Sequence, residues 1–333
     1  MFLYVMSRPH SGSTILDILL GNTGTVAGVG QLVSDMGKPD NPCACGATIR
    51  DCPFWRDVRA RVEAEGVAWA EAVALSVGQA HVGRFWRTLR AAPDDPGMLR
   101  LAAATAAVER AVAGASGRPH VLDSSKEPTR ALFLARYRPD ARLLRLVRDP
   151  RSAVASHYWR LKDKGYFHFL RRDYRLPALA PLFLALAAAS WTVGNLLHDL
   201  AASRAAPPGR VVRLRYEDLR DRPAEELARL GAGLGIEVGP ALARLARGEA
   251  LEVGHLIGGN DVRLERGLRF EPGRESTRRT PPRWVGAMTL LLCWPLMARY
   301  GYPLRRPAPG SGGPRQAGGQ PDDGGEARPH GAA

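Results

Sequence analysis

Ser7-Arg8-Pro9-His10-Ser11-Gly12-Ser13-Thr14 is the stretch that decides how this chain is read. The apolar run Phe2-Leu3-Tyr4-Val5-Met6 precedes it and has the character of a buried strand. Ile15-Leu16-Asp17-Ile18-Leu19-Leu20-Gly21 follows as a helix pattern closed by glycine. A strand, a turn of small residues and a helix aim free backbone N–H groups and the positive end of a helix dipole at one point. Ser11, Ser13 and Thr14 add hydroxyl donors there. Such a turn suits a phosphate or a sulfate. A standard P-loop has Lys immediately before its Ser/Thr, reaching the β- and γ-phosphates. Ser13 stands at that place, so a kinase or nucleoside triphosphatase built on this loop lacks its main cation.

The chain has 333 residues, room for one large domain or two small ones, and its 45% hydrophobic content permits a substantial core. Lys and Arg number 47 against 33 Asp and Glu, a net charge of +14 that favours anionic partners. Much of the excess is Arg among many Ala, Gly and Pro, so part of it is compositional, and no nucleic-acid partner is expected. The N-terminus lacks the charged and apolar regions of a secretory leader, which points to a cytoplasmic location. Pro177 to Leu197 carries no charged residue and is about long enough to span a bilayer. Its two prolines, Trp191 and Asn195 favour a buried helix, with peripheral membrane contact as the lesser alternative. Trp284 to Ala298 is too short to span and contains Pro295.

The four cysteines are Cys43, Cys45, Cys52 and Cys293. Zinc usually takes four ligands in pairs such as C-x₂₋₄-C. The C-x-C spacing of Cys43 and Cys45, with no fourth ligand nearby, argues against a metal, and none is expected. A disulfide does not fit a reducing compartment. Packing or loop structure is the expected role.

Thr23 to Asn41, rich in Gly, Thr and Asp, reads as a loop beside the anion site. Residues 54–115 read as helices broken at Pro93-Asp94-Asp95-Pro96-Gly97, an insertion expected to shape an acceptor pocket. Val121-Leu122-Asp123, Arg142 to Val147 and Val211 to Leu214 read as further strands. Ser124-Ser125-Lys126-Glu127-Pro128, Arg148 to Ser156 and Tyr216-Glu217-Asp218-Leu219 follow them. Strands alternating with helices predict an α/β fold, a P-loop-like parallel sheet flanked by helices. Ligands then sit beyond the C-terminal strand ends, where all four motifs fall. One domain is expected over 1–304, with a disordered Gly- and Pro-rich tail over 305–333.

Together these motifs resemble the sulfotransferases that use 3′-phosphoadenosine 5′-phosphosulfate (PAPS), in their bacterial and carbohydrate-type branch, over most of residues 2–302. The resemblance implies that Arg8, His10, Ser11, Gly12, Ser13 and Thr14 cradle the 5′-phosphosulfate. It implies that Arg148, Ser156 eight residues on, and Arg160 hold the 3′-phosphate. An Arg fork on phosphate oxygens is physically apt there. The competing expectation for Arg148-Asp149 is a local ion pair. Tyr216 matches a residue near the cofactor, while Glu217 or Asp218 is expected to cap the next helix. His255-Leu256-Ile257-Gly258-Gly259-Asn260-Asp261-Val262-Arg263 resembles the late Gly-Asn loop that closes over PAPS, contributing Gly259, Asn260 and Arg263. The Cys-Pro-Phe54-Trp55 segment also recurs in that branch.

Sulfuryl transfer builds negative charge on the bridging oxygen of the leaving phosphate, where cations and N–H donors act. His10 and Lys126 are the catalytic candidates that the resemblance supplies. It also shows two departures. His10 stands where Lys or Arg is usual, so its charge depends on pH. Gln31 follows Gly30 where a Glu, the candidate base, is frequent, and an amide is no base. The base is then Asp35, Asp123, His10 or none of the chain's residues. The acceptor implied is a hydroxyl or amine of a carbohydrate, lipid or secondary metabolite. No metal is required, because PAPS has no β/γ-phosphate chain. The alternatives are a Mg-ATP-dependent small-molecule kinase and a non-catalytic PAPS-binding protein.

Overall fold

The computed structural model describes residues 1–164, 180–207, 209–265, 267–273 and 280–305. The expected tail after 305, and Pro177 to Leu179 of the apolar stretch, lie outside the described residues.

Five short runs form one parallel sheet: β1 (Phe2–Met6), β2 (Val26–Gly30), β3 (His120–Asp123), β4 (Arg142–Val147) and β5 (Val211–Arg215), in the spatial order β2-β3-β1-β4-β5. β1 lies at the centre and is buried throughout. Its side chains alternate between two cores, as a strand covered on both faces requires. Phe2, Tyr4 and Met6 join one core, and Leu3 and Val5 the other.

The helices in chain order are α1 (Ser13–Gly21), α2 (Leu32–Asp35), α3 (Pro53–Ala64), α4 (Trp69–Ala80), α5 (Phe85–Arg90), α6 (Pro96–Ser116) and α7 (Pro128–Tyr137). They continue with α8 (Pro150–Lys164), α9 (Ala180–Ala202), α10 (Tyr216–Asp221), α11 (Pro223–Leu234), α12 (Gly239–Ala246) and α13 (Arg283–Arg299). The insertion α3 to α6 packs with α7 on the Phe2 face, and α1, α11 and α12 cover the Leu3 face. The expected break before α6 is real: Asp95 caps that helix, accepting from Met98 N–H at 2.9 Å, with Pro96 in the first turn.

Two expectations need correction. The segment read as a loop from Thr23 contains β2. Its glycines disguised it, and they answer to close contacts rather than to a turn. A Cβ on Gly28 would lie 2.2 Å from Asp17 Oδ1, and one on Gly30, whose φ is +75°, would lie 2.3 Å from the Ile257 carbonyl oxygen. The apolar stretch is also not a wholly buried helix. α9 buries Leu184, Ala188, Trp191 and His198, yet exposes Leu182, Leu186, Val193 and Leu196. By length and composition it could cross a membrane, and 33% of that window is buried. α13 contains Pro295 and packs with α8 and α9 in a third apolar cluster.

Buried Arg145 of β4 fixes α9 against the sheet. It donates to Asn195 Oδ1 (2.8 Å), Asp199 Oδ1 (3.1 Å) and the Tyr300 hydroxyl (2.9 Å). A charge this deep is tolerable only with such partners. The result places His198 of α9 beneath the loops that follow β1 and β3.

Candidate functional site

After β1 the backbone turns sharply enough that His10 has φ +61° and Gly12 φ +83°. Gly12 has no freedom to be anything larger, since a Cβ there would meet the Tyr216 ring at 2.2 Å. α1 begins at Ser13 without a side-chain cap, leaving its first N–H groups facing the turn. Ser11 is buried, and its hydroxyl has no hydrogen-bond partner among the described residues. Among the described residues, two that are not glycine have positive φ: His10 and Lys126. Such backbone costs about 1–3 kcal/mol per residue and persists only where neighbours enforce it. Here they do. Arg148 Nη1 donates to the His10 carbonyl at 2.7 Å. His198 Nε2–H bridges the carbonyls of Ser7 (3.0 Å) and Lys126 (3.1 Å), tying the two strained loops together.

The side chains converge across the ends of all five strands. Lys126 Nζ donates to Ser13 Oγ at 3.2 Å. With its oxygen turned toward the donors, the Gln31 amide accepts from Lys126 Nζ at 2.6 Å and Gly259 N–H at 3.1 Å. Thr14 Oγ1 accepts from Asn260 N–H at 3.2 Å. The 258–263 loop therefore packs against α1, and Gly259 is tight there, a Cβ coming within 2.9 Å of Thr14 Oγ1. Arg263 is buried and supports that loop from behind, donating from Nε to the Gly258 carbonyl at 2.7 Å. Ser156 Oγ lies 3.2 Å from His10 Nδ1. The Arg148 guanidinium lies over the Tyr216 ring, 4.4 Å from its centre.

Arg148, the residue after β4, and Ser156 of α8 both sit on His10. Three expectations change. Asp149 is taken up by Arg151, at 2.6 Å, in place of the pair expected between Arg148 and Asp149. Glu217 does not cap its own helix: it accepts from Asp149 N–H (2.9 Å) and the Tyr302 hydroxyl (3.0 Å), bracing the start of α8. Arg8 is drawn away from the turn, its Nη2 on Ser190 Oγ of α9 at 2.5 Å. It lines a separate cavity of about 80 Å³ with Pro9, His157 and Trp191. Arg160 is exposed on α8, close enough to act electrostatically on His10.

The electrostatics follow from burying many cations together. Burial first, then His157, Arg160, Arg148 and Lys126, push the His10 imidazole down to about 3. Burial, Arg160 and Arg8 bring His157, edge-on to His10, to about 4. Burial lowers Lys126 to about 8 against the opposing pull of Glu127, Asp17, Asp123 and Asp35. His10 is thus a neutral imidazole in the free protein, whereas Lys126 is charged at neutral pH. Asp123 is fully buried and accepts from Ser125 and from buried Arg130, whereas Asp35 accepts from Asn41 (2.7 Å) and Lys38 (3.3 Å) through one oxygen, Oδ1.

Sequence reasoning missed the bridging role of Gln31, the clamp at His198, the ring of His157 and the anchor at Asp17. Asp17 is buried on α1, accepts from Gly30 N–H (3.0 Å) and Ser124 Oγ (2.8 Å), and is raised to about 7 by burial. Its signal was a lone acid inside the apolar face of a helix. Sequence proximity also concealed a ligand-type residue beside the cysteines: His255 joins Cys43, Cys45 and Cys52 in space. The argument against a metal from a missing fourth ligand therefore fails.

A parallel sheet with a strand–turn–helix anion cradle at its C-terminal edge, cationic side chains converging on it, defines a P-loop-like α/β protein. A family model described as "Sulfotransferase family" matches residues 3–240, and the chain belongs to that family. Solved structures with a similar fold include the sulfotransferase domain from the curacin biosynthetic pathway, at 16% identity over 91% of this chain and 98% of that one, TM-score 0.47. The sulfotransferase domain of the Synechococcus PCC 7002 olefin synthase is 20% identical over 91% and 95%, TM-score 0.46. Sulfotransferase STF9 from Mycobacterium avium is 15% identical over 90% and 77%, TM-score 0.49. No curated protein sequence matches.

Proposed function

We propose that this protein transfers the sulfuryl group of PAPS to a hydroxyl or amine of a small-molecule, carbohydrate or lipid acceptor, in the cytoplasm. The observation that carries the reading is the convergence of Lys126, Arg148 and His10 on the start of α1, with Ser13 where a triphosphate-binding loop has Lys. The buried, unpartnered Ser11 hydroxyl and the uncapped α1 N-terminus fit the 5′-phosphosulfate. Arg148 and Arg160 fit the 3′-phosphate, while Ser156 turns its single hydroxyl proton to His10 Nδ1, and Tyr216 shapes the floor through Gly12 and Arg148.

The acceptor oxygen or nitrogen attacks sulfur, the bond from sulfur to the bridging phosphate oxygen breaks, and its electron pair leaves with adenosine 3′,5′-bisphosphate. Lys126 supplies positive charge where that oxygen departs. Gln31 holds the ammonium in place and couples it to the Gly259 loop. His10 acts as a neutral donor: with the Ser156 hydroxyl donating to Nδ1, the Nε2–H tautomer keeps a proton to offer. Asp123 is fully buried and paired with Arg130, which leaves the acceptor proton to solvent or to Asp35, whose bonds from Asn41 and Lys38 both fall on Oδ1.

The test is incubation with PAPS and a broad acceptor panel in EDTA, following sulfated product and adenosine 3′,5′-bisphosphate by mass spectrometry. The proposal expects both in equal amount. Magnesium-dependent ADP formation from ATP would instead support the kinase alternative, and bisphosphate binding without turnover on any acceptor the non-catalytic one.

A further inference from the structure

We propose that Cys43, Cys45, Cys52 and His255 bind one structural zinc ion that clips the 42–52 loop to the 255–263 loop. Their ligand atoms all lie within 4.8 Å of one another. Cys52 Sγ is 3.3 Å and Cys43 Sγ 3.9 Å from His255 Nδ1, and Cys45 Sγ is 3.6 Å from Cys52 Sγ. Zinc–sulfur bonds of about 2.3 Å and zinc–nitrogen bonds of about 2.0–2.1 Å in a tetrahedron give edges of about 3.5–3.8 Å. The observed separations bracket those edges. The three thiols are unbonded to one another, and four protein ligands leave no open position, which marks a structural rather than a catalytic site.

The surroundings hold the ligands in this arrangement. Cys43 N–H donates to the Ala47 carbonyl (2.9 Å) and Gly46 N–H to the Cys43 carbonyl (3.0 Å), with Gly46 at φ +96°, so the C-x-C-G segment forms a tight turn presenting both sulfurs. The His255 ring stacks on Phe54, 4.7 Å between centres and 6° from parallel. Trp55 Nε1 donates to the His255 carbonyl at 3.0 Å. The Cys52-Pro53-Phe54-Trp55 segment thus supplies one ligand and orients another.

The clip joins positions more than 200 residues apart in sequence, 43 and 255. It anchors the start of a segment that continues along β2: Ala44 N–H donates to Leu256 O (3.0 Å), Ile257 N–H to Val29 O (3.1 Å) and Gln31 N–H to Ile257 O (2.7 Å). Two and three residues after Ile257, Gly259 and Asn260 reach Gln31 and Thr14. The metal would therefore hold the lid of the candidate nucleotide site without touching it. That last clause rests on the proposed function; the metal site does not.

The experiment is zinc analysis of the untagged full-length chain by mass spectrometry, after dialysis and after chelation followed by zinc return. About one zinc per chain is expected in both states. Cys45→Ser and His255→Ala should each retain less than a fifth of that, with wild-type circular dichroism. Cobalt substitution gives a second readout that needs no variant: intense visible bands of tetrahedral cobalt and a thiolate charge-transfer band. Hydrogen exchange should quicken in peptides covering 42–52 and 251–263 when zinc is withdrawn, and elsewhere little. Failure of the wild-type chain to retain or regain zinc, wild-type zinc content in the variants, a Cys45–Cys52 disulfide in freshly purified protein, or unchanged exchange in those two peptides would overturn the proposal. None of these readouts uses nucleotide or turnover, so they stand apart from the sulfotransferase reading.

Discussion

The loops at the sheet edge and the helical insertion α3 to α6 both carry many charges, and they use them in opposite ways. In the insertion, cations and anions pair on the surface: Arg59 with Glu63 and Arg61 with Asp57 at helical spacing, Arg100 with Glu71, Arg110 with Glu65. Exposed pairs of this kind contribute about 0–1 kcal/mol each. At the sheet edge, half-buried Lys126 and buried Arg148 lie beside His10 and His157, and desolvation depresses the ammonium and both imidazoles. A fold tolerates such crowding where an anion is to be held. The net charge of the chain says little; where the cations are desolvated says much.

The contrast should fail most dramatically at Gly12. Gly12→Ala pays about 1–2 kcal/mol for its left-handed backbone and drives a Cβ into the Tyr216 ring. Turnover should fall by more than about 10³-fold, combining that strain with a cradle displaced by about an ångström. Adding Tyr216→Ala should recover part of bisphosphate binding, a coupling measurable in a double-mutant cycle. Additive losses would show that the ring and the turn act independently.

His10→Ala should cost about 10²–10³-fold in single-turnover rate, as for loss of one transition-state donor. Because the free-protein imidazole titrates near 3, it does not supply the alkaline limb of the kcat/KM profile. That limb belongs to Lys126: activity should decline as pH rises through about 8, where the ammonium is lost. Lys126→Arg should carry the limb beyond the measurable range, and His10→Arg should leave it in place. A limb that moves with His10 and stays with Lys126 would reverse these roles.

Gln31→Ala should reduce turnover about tenfold, the lower end for removing a hydrogen bond to a charged group. Gln31→Glu should retain the bridge and raise the Lys126 limb, since a neighbouring carboxylate favours the ammonium. An expectation from sequence alone, that an amide which is no base matters little, would be supported by unchanged rates in both. In the insertion, Arg59→Ala should change turnover by less than about twofold and stability by less than about 1 kcal/mol.

How much of this was written in the chain differs between the two regions. β1, the turn, α1 and the motifs after β3, β4 and β5 were legible because each pairs a periodic apolar run with small or charged residues at its end. β2 was not, since Gly28 and Gly30 are dictated by Asp17 and Ile257, partners that sequence does not place beside them. Lys126 and Arg148 were legible as residue types, but not their geometry: the positive φ of His10 and Lys126 is enforced by Arg148, just after β4, and by His198 of α9. In sequence Gln31 shows only its own chemistry, whereas its role lies in joining two loops. Arg8 was judged by its place in the motif, whereas Ser190 on α9 takes its guanidinium. His255 was invisible as a partner of the cysteines because the fold, not the chain, makes them neighbours.

The most direct test of the central claim is calorimetry with adenosine 3′,5′-bisphosphate and AMP, in EDTA, on the wild type, Arg148→Ala and Arg151→Ala. Arg148 sits on the Tyr216 ring beside His10, while Arg151 is paired with Asp149. The wild type should prefer the bisphosphate without any metal. Losing the Arg148 fork should weaken that ligand about 10- to 150-fold, the equivalent of about 1.5–3 kcal/mol for a charge-assisted hydrogen bond, and erase the preference over AMP. Arg151→Ala should leave the preference standing. Equal affinity of the wild type for AMP and the bisphosphate, or nucleotide binding that appears only with ATP and magnesium, would contradict the account.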